Sequence, residues 1–159
     1  MMRKLMRQPK LTTGVLLLLV LLLVSACSNA RASSGGRLEL GSQGDQLAFT
    51  ATTLSAKAGE QVTLVFKNNA KALQHNWVLI QGDDAVAKQV SERALAAGLE
   101  QGALPADKTA ILAHTDLVQS GETANLTFTA PTEPGAYTYL CTFPGHYLMG
   151  MRGRLVVEP

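Results

Sequence analysis

The sequence predicts an all-β domain, a Greek-key β-sandwich with one short helical insertion. Apolar residues alternate with polar ones in several short runs, a period of two that is typical of half-buried strands. Turn-forming residues separate these runs at Ala58-Gly59-Glu60, Ser120-Gly121-Glu122 and Glu133-Pro134-Gly135. Short strands at this spacing, with a single helical segment, are typical of a two-sheet β-sandwich with Greek-key connections.

Each strand is predicted from two or three alternating apolar residues. In chain order these are Leu38 and Leu40; Leu47 and Phe49; Val62, Leu64 and Phe66; Leu126 and Phe128; Tyr137 and Tyr139; Leu155 and Val157. A further apolar strand is predicted to start at His75.

One segment breaks the alternation and predicts the helix. Asp83 and Asp84 offer an N-cap for a helix that runs from Ala85 to about Leu99. The apolar face and the glycines that would end the helix are Val86, Val90, Ala94, and Gly98 or Gly102.

Residues 1–27 have the layout of a bacterial export signal. The basic residues at its start are Arg3, Lys4, Arg7 and Lys10. An apolar run from Val15 to Val24 follows, and small residues then lead into Cys27. The apolar stretch 14–26 is 13 residues long, short of the roughly 20 that a membrane-spanning helix needs. A short uncleaved anchor remains an open alternative.

The tetrapeptide that ends in Cys27 resembles a bacterial lipobox, in which cleavage precedes a cysteine that carries a diacylglycerol. This resemblance implies lipid attachment at Cys27, and two or more acyl chains would anchor the domain stably. The domain would then be exported and held at the outer face of the bacterial cell membrane. Plain secretory cleavage at the same place remains open, and it also exports the domain.

Residues 28–36 are small, polar and rich in serine and glycine, which predicts a flexible tether. The folded domain is then predicted over 37–159, which is long enough for its own core. Residues 1–27 carry four basic side chains and no acidic ones, so the formal charge changes from +2 for the whole chain to −2 without them. Because the remaining domain is not basic, nucleic acid is not an expected partner.

The chemistry is concentrated near the C-terminus. Cys141, His146 and Met151 lie within a stretch that also contains a proline and several glycines, so one loop can bring a thiolate, an imidazole and a thioether together. His75 lies far upstream, in the run HNWV. Two histidines and a cysteine with a weak axial methionine are the ligand set of a type 1 copper site. Zinc prefers sites without thioether ligands.

Three segments carry a resemblance to the azurins and plastocyanins, the cupredoxin family of blue copper proteins. They are HNWVL at 75–79, AHTDLVQSGE at 113–122 and CTFPGH at 141–146. Within that family the chain is most similar to the auracyanins, membrane-associated azurin-like proteins of filamentous phototrophic bacteria. The resemblance implies a cupredoxin fold, one copper ion that alternates between Cu+ and Cu2+, and electron transfer without substrate turnover.

The family pattern decides between two methionines for the axial position. Azurins have their methionine four residues after the histidine, where this chain has Gly150. Plastocyanins and auracyanins have it five residues after, at Met151, followed by any residue and a glycine, here Gly153. Met149 does not fit that pattern and is expected to be an exposed apolar residue.

The resemblance also implies contacts around the ligands. The Gln74 carbonyl would approach the copper, and the Asn76 side chain would tie the two ligand loops together by reaching Thr142. The amides of Asn76 and Phe143 would donate to the Cys141 sulfur and so tune the redox potential. The third histidine, His114, corresponds to a non-ligand histidine of azurin.

The family further implies an electron port at the His146 ring, surrounded by an apolar docking patch of Pro144, Tyr147, Leu148 and Met149. Similarity to the auracyanins implies a quinol-oxidising complex as donor and a reaction-centre cytochrome as acceptor. The carrier is expected to be a monomer. Two other classes of copper protein remain as rivals. A copper enzyme would need histidines for a second copper site, and a storage or delivery protein would need an open Met- or His-rich stretch.

Overall fold

The computed structural model describes residues 36–159, and this part of the chain contains eight β-strands and one α-helix. The strands are β1 (Gly36–Gly41), β2 (Thr53–Lys57), β3 (Gln61–Lys67), β4 (Val78–Ile80), β5 (Ile111–His114), β6 (Thr123–Thr129), β7 (Gly135–Leu140) and β8 (Arg152–Glu158); the helix, α1, is Asp84–Ala97. One sheet has the order β1-β3-β6 and the other β2-β8-β7-β4-β5. The predicted two-sheet fold with one helical insertion is confirmed.

The predicted export signal, Cys27 and the tether as far as residue 35 lie outside the described residues. Gly36, predicted to end the tether, is instead the first residue of β1 and pairs with Val62. Within 36–159, no helix is both long enough and apolar enough to cross a membrane.

The main core lies between the two sheets. Alternation in β3 turns Val62, Leu64 and Phe66 inward, and all three are fully buried. Trp77 packs against Phe128, with ring centroids 5.4 Å apart. Burial of each large apolar side chain contributes roughly 1.5–3 kcal/mol, so the alternation read from the sequence supplies the main stabilising term.

The helix α1 begins where its cap predicts. The Asp83 side chain accepts hydrogen bonds from the backbone N–H groups of Ala85 (3.0 Å) and Val86 (3.1 Å), which satisfies two donors that a helix start leaves free. The helix ends at Ala97, slightly before the predicted end, and a 3-10 turn over Leu99–Gln101 follows. A second, smaller core, here called the helix-side cluster, consists of Val78, Ile80, Ala87, Val90, Leu104, Leu140 and Tyr147.

Two strand predictions differ from the structure. The strand predicted at Leu47 and Phe49 is a tight turn in which Phe49 makes one isolated bridge with Ser42, although its side chain still enters the core. The strand predicted to start at His75 begins at Val78, and His75 itself pairs through an isolated bridge with Val118. The alternation of apolar residues thus predicted most of the inward-facing side chains correctly. It was less reliable for which segments form hydrogen-bonded strands.

The five-stranded sheet brings three separate chain segments to one edge. β7 runs antiparallel to both β4 and β8, so its C-terminal end meets the N-terminal ends of its two neighbours. Val78 pairs with Leu140, which in turn pairs with Arg152. The residues just before β4, just after β7 and just before β8 therefore lie together.

Candidate metal centre

Three potential ligand atoms converge at this edge of the sheet. The Nδ1 atoms of His75 and His146 lie 3.2 Å apart, and the Cys141 Sγ lies 3.4 Å from the His146 Nδ1 and 3.9 Å from the His75 Nδ1. His75 and Cys141 are fully buried. Among the described residues, these three form the one cluster of His, Cys, Asp or Glu side chains able to hold a metal ion.

The triangle has the size that a metal ion requires. With metal–nitrogen bonds of about 2.0 Å and a metal–sulfur bond of about 2.3 Å, three ligands in one plane lie about 3.5–3.7 Å from each other. The observed sides of 3.2, 3.4 and 3.9 Å bracket these distances. Two imidazoles and one thiolate in this arrangement are the in-plane donor set of a blue-copper site.

Met151 closes the loop that carries two of these residues. Its backbone N–H donates to the His146 carbonyl (3.0 Å), and its own carbonyl accepts from the Cys141 N–H (3.1 Å). Its side chain is fully buried, whereas that of Met149 is 71% exposed. The thioether available on the buried side is therefore that of Met151.

Glycine is needed at two positions in this loop. Gly145 has a φ of 84° and Gly150 a φ of 99°, a region that residues with a Cβ rarely adopt. These two glycines directly precede His146 and Met151, and each turns the chain just before a ligand. The glycines that suggested a folded loop in the sequence are therefore at the positions where the backbone needs a positive φ.

Burial favours the neutral form of all three groups. Burial raises the pKa of the Cys141 thiol to about 11, and hydrogen bonds from the backbone N–H groups of Asn76 and Phe143 offset part of that rise. Burial, together with the neighbouring His75, lowers the pKa of His146 to about 4. Burial also lowers the pKa of His75, against an opposing effect of Asp45. Neutral imidazoles suit metal binding, and a bound cation would stabilise the thiolate.

Comparison with known proteins identifies the family. Residues 37–158 match the family of copper binding proteins that includes plastocyanin and azurin. The chain is 47% identical to auracyanin-A of Chloroflexus aurantiacus over 121 residues, covering 76% of this chain and 74% of that protein. It is 46% identical to auracyanin-B of the same organism over 116 residues, covering 72% of this chain and about half (49%) of that protein.

A solved structure agrees with the sequence matches. Dithionite-reduced auracyanin from the photosynthetic bacterium Roseiflexus castenholzii superposes with a TM-score of 0.74 at 41% identity, covering 77% of this chain and 97% of the other. This chain belongs to the plastocyanin/azurin family. His75, Cys141, His146 and Met151 are therefore arranged as a type 1 copper site, and the copper prediction is confirmed.

In this plastocyanin/azurin-family site, Asn76 bridges the two ligand segments. Its Oδ1 accepts a hydrogen bond from the Thr142 N–H (2.9 Å), and its Nδ2 donates to the Thr142 Oγ1 (2.8 Å). Since Asn76 follows His75 and Thr142 follows Cys141, the pair holds the two ligand backbones at a fixed separation. The N–H groups of Asn76 and Phe143 both reach the Cys141 sulfur.

Three further residues named in the sequence analysis, Gln74, Phe143 and His114, differ in burial and in distance from the ligands. Gln74 is half-buried, and the Phe143 ring lies against the His146 ring with centroids 4.6 Å apart. His114 lies in β5, where its Nδ1 bonds to the Thr115 carbonyl (3.3 Å) outside the ligand cluster.

The four residues predicted to form a docking patch differ in exposure. Leu148 and Met149 are 70% and 71% exposed, and Pro144 is half-buried. Tyr147 does not belong to this surface, because it is 5% exposed and its ring lies in the helix-side cluster. The reason is α1, which covers the side of the sheet toward which Tyr147 points.

Sequence reasoning missed several backbone groups that support the site. Val118 exchanges two hydrogen bonds with His75, at 2.8 and 3.3 Å. The carbonyls of Asp84 and Ala103 accept hydrogen bonds from the Tyr147 and Thr142 hydroxyls. A main-chain carbonyl leaves no mark in residue identity, so no signal in the sequence pointed to these contacts.

Proposed function

We propose that this protein is a type 1 (blue) copper electron-transfer protein that shuttles single electrons between membrane redox complexes of a photosynthetic or respiratory chain. The observation that carries the proposal is the buried triangle of His75, Cys141 and His146 in a member of the plastocyanin/azurin family. Copper, when bound there, supplies the Cu(II)/Cu(I) couple. The chain itself supplies rigidity, burial and a route to the surface.

Rigidity comes from how the ligands are held. His75 is paired with Val118, Cys141 directly follows β7, and Met151 directly precedes β8. The Asn76–Thr142 pair joins the first two segments. Because these contacts involve protein groups alone, the ligand positions need to change little when an electron enters or leaves. The two N–H groups at the Cys141 sulfur favour its charged form.

His146 is the expected electron port. It is 4% exposed, whereas His75, Cys141 and Met151 are 0% exposed, so of the four ligands it alone reaches the surface. Leu148 and Met149, two and three residues after it, are exposed. A small apolar surface of this kind suits brief encounters, because redox partners usually bury less than about 1,200 Å².

The visible absorption and EPR spectra of the protein with Cu(II) test the proposal. We expect an intense thiolate-to-copper band in the orange-red and narrow copper hyperfine splitting, because Cys141 would be the thiolate that binds copper. Replacement of Cys141 by serine should abolish the band. A protein that stays colourless with Cu(II) would contradict the electron-carrier proposal.

The docking surface is tested separately by a Leu148→Asp/Met149→Asp double variant. We expect slower electron exchange with a redox partner and an unchanged copper spectrum, because both side chains are exposed. A Leu95→Asp/Leu99→Asp variant is the matched control, since these leucines of 53% and 50% exposure lie on and just after α1. Equal slowing in both variants would argue against a patch at the port.

We propose that the chain has no catalytic turnover of its own. A copper enzyme would need further histidine ligands, and His114 bonds to Thr115 instead. A copper courier would need a site that opens easily, whereas His75, Cys141 and Met151 are fully buried. A slow copper off-rate with reversible redox cycling would separate a carrier from a courier.

We propose further that the domain is exported and anchored through lipid on Cys27 to the outer face of the cell membrane. The apolar stretch and lipobox-like end of residues 1–27 support this. By similarity to the auracyanins, the donor would be a quinol-oxidising complex, the acceptor a reaction-centre cytochrome, and the carrier a monomer. Mass spectrometry of the mature N-terminus would separate a lipidated cysteine from plain cleavage.

A further inference from the structure

We propose that the helical insertion between β4 and β5 is a positioning support for the copper-ligand loop, acting through Tyr147 and Thr142. This inference rests on the proposed function, in which the loop 141–151 holds copper. The insertion contacts the loop at two points, one from each end of the helical region. Each contact is made to the residue that directly follows a strong ligand.

The first contact is made by Tyr147, the neighbour of His146. Its ring is buried in the helix-side cluster with Ala87 and Val90 of α1. Its hydroxyl donates to the backbone carbonyl of Asp84, the first residue of α1 (3.3 Å). The Arg152 guanidinium lies 5.1 Å from the ring centroid, at a distance where a cation is attracted to an aromatic ring. Tyr147 is thus held by packing, a hydrogen bond and a cation.

The start of α1 is itself tied to the strands that carry the other ligands. The Asp84 carboxylate is bonded by the Arg154 guanidinium of β8 (2.8 Å). The same guanidinium donates to the Thr138 hydroxyl of β7. The carbonyl that accepts from Tyr147 therefore belongs to a residue whose side chain contacts β7 and β8, the strands next to Cys141 and Met151, through a partly exposed ion pair.

The second contact is made by Thr142, the neighbour of Cys141. Its hydroxyl donates to the Ala103 carbonyl (2.6 Å) and accepts from the Asn76 Nδ2. Ala103 lies just beyond the 3-10 turn that follows α1 and is fully buried. Its φ of 54° is the one positive φ at a non-glycine residue in 36–159. This conformation is unfavourable for alanine and persists where its surroundings impose it. Here it aims the carbonyl at the ligand loop.

Together, the contacts leave little freedom to the segment between the two strong ligands. One end of the insertion fixes the residue after Cys141, and the other fixes the residue after His146. If either contact is lost, the loop should open more often even without metal, because its ends would be restrained by the strands alone.

Amide hydrogen exchange in the metal-free, full-length protein, held in detergent, tests this support. The reporters are loop amides with hydrogen bonds inside the loop, those of His146, Met149, Gly150 and Met151. In a Tyr147→Phe variant we expect these amides to exchange about three- to tenfold faster, which corresponds to the loss of one hydrogen bond. Thr142→Val removes the hydrogen bond to Ala103 and also the one from the Asn76 Nδ2, so it should speed exchange at least as much. Thr142→Ser, which keeps the hydroxyl, should restore slow exchange.

Tyr137→Phe is the matched control. It also removes one tyrosine hydroxyl, which donates to the Glu133 carbonyl (2.8 Å) in the turn before β7. We expect it to leave the reporter amides unchanged. Equal exchange rates in Tyr147→Phe and Tyr137→Phe would overturn the proposal. If Thr142→Val does not fold, the two tyrosine variants still decide the outcome.

Copper adds a second readout that keeps the two proposals apart. We expect Tyr147→Phe to keep the thiolate-to-copper band. It should nevertheless lose Cu(I) to a chelator about three- to tenfold faster than the wild-type protein or the Tyr137→Phe variant does. If Tyr147→Phe changes neither the copper off-rate nor the amide exchange, the proposal that the insertion supports the loop fails, while the proposed function is unaffected. If the wild-type protein shows no thiolate-to-copper band, the proposed function fails. Amide hydrogen exchange in the metal-free protein still decides whether the insertion holds the loop.

Discussion

The two methionines after His146 have opposite surroundings. Met151 is fully buried beside Cys141, and Met149 is 71% exposed. We expect Met151→Leu to keep the fold, because a Met-to-Leu exchange usually costs less than about 1.5 kcal/mol. If Met151 supplies a weak thioether ligand to copper, its loss should destabilise Cu(II) more than Cu(I), so the reduction potential should rise while the thiolate-to-copper band persists. Voltammetry and absorption spectra measure both quantities.

Met149→Leu is the control for this prediction. Its side chain points to solvent, so neither the potential nor the spectrum should change. A spectral change in Met149→Leu with none in Met151→Leu would reverse the assignment of the axial ligand.

Single residues differ in how far their roles could be read from the sequence. His75, Cys141, His146 and Met151 could be predicted because their residue types carry the chemistry and their context matches the family. The burial of Tyr147 could not, because an aromatic residue beside two exposed apolar ones carries no mark of which side it faces. What decides it is α1, a segment distant in sequence, whose Ala87 and Val90 pack in the same cluster.

At the scale of elements, the pairing of β7 with β8 depends on Gly153. It pairs with Tyr139, and a Cβ at this position would collide with the Tyr139 ring and lie 2.7 Å from the Thr52 carbonyl. We therefore expect Gly153→Ala to destabilise the protein by about 1–3 kcal/mol, as overpacking does. Denaturant unfolding of the metal-free protein measures this change.

Gly135→Ala tests whether the effect is specific to that contact. A Cβ there would meet its nearest neighbour, the Tyr137 ring, at an ordinary 3.8 Å, so the free energy of unfolding should change little. Equal losses in the two variants would mean that an added methyl group is unfavourable at either position of β7 or β8, and that the Tyr139 contact is not the specific cause, since Gly→Ala by itself lowers the entropy of the unfolded chain.

The elements were predictable where local chemistry determines them. The start of α1 follows from the Asp83 side chain, which accepts hydrogen bonds from two backbone N–H groups. The turns that contain glycine also lie where the sequence predicted them. The strand expected at Leu47 and Phe49 does not form, because the chain doubles back there: the Gln43 N–H bonds to the Ala48 carbonyl (2.8 Å). Alternation reports which side chains are buried, whereas strand pairing depends on where distant segments lie.

At the scale of the whole molecule, one arrangement explains both stability and the site. The sheet edge where β4, β7 and β8 meet is where the ligands lie, so the same burial that stabilises the sandwich also dehydrates His75, Cys141 and His146. Dehydration favours the neutral forms of all three groups. Folding therefore disfavours the charged forms of these side chains when no metal ion is bound. As a result, the free energy of unfolding of the metal-free protein should depend on pH.

For the metal-free protein we expect a plateau of stability with losses on both sides. Burial lowers the pKa of His146 from 6.5 to about 4, so the unfolded chain takes up a proton first as the pH falls. The free energy of unfolding should then decrease from about pH 6.5 down to about pH 4. Burial raises the pKa of Cys141 from 9.0 to about 11. The unfolded thiol therefore ionises first, and stability should fall as the pH rises through that range.

Denaturant unfolding at a series of pH values, with and without copper, measures this profile. Copper should delay the acid loss to lower pH, because ligand nitrogens that hold a metal cannot take up protons until it leaves. His146→Gln should reduce the acid loss of the metal-free protein, and the loss that remains would come from His75, whose pKa burial also lowers. A metal-free protein whose stability does not change between about pH 6.5 and about pH 4 would mean that the imidazoles are hydrated, and the burial argument for the site would then fail.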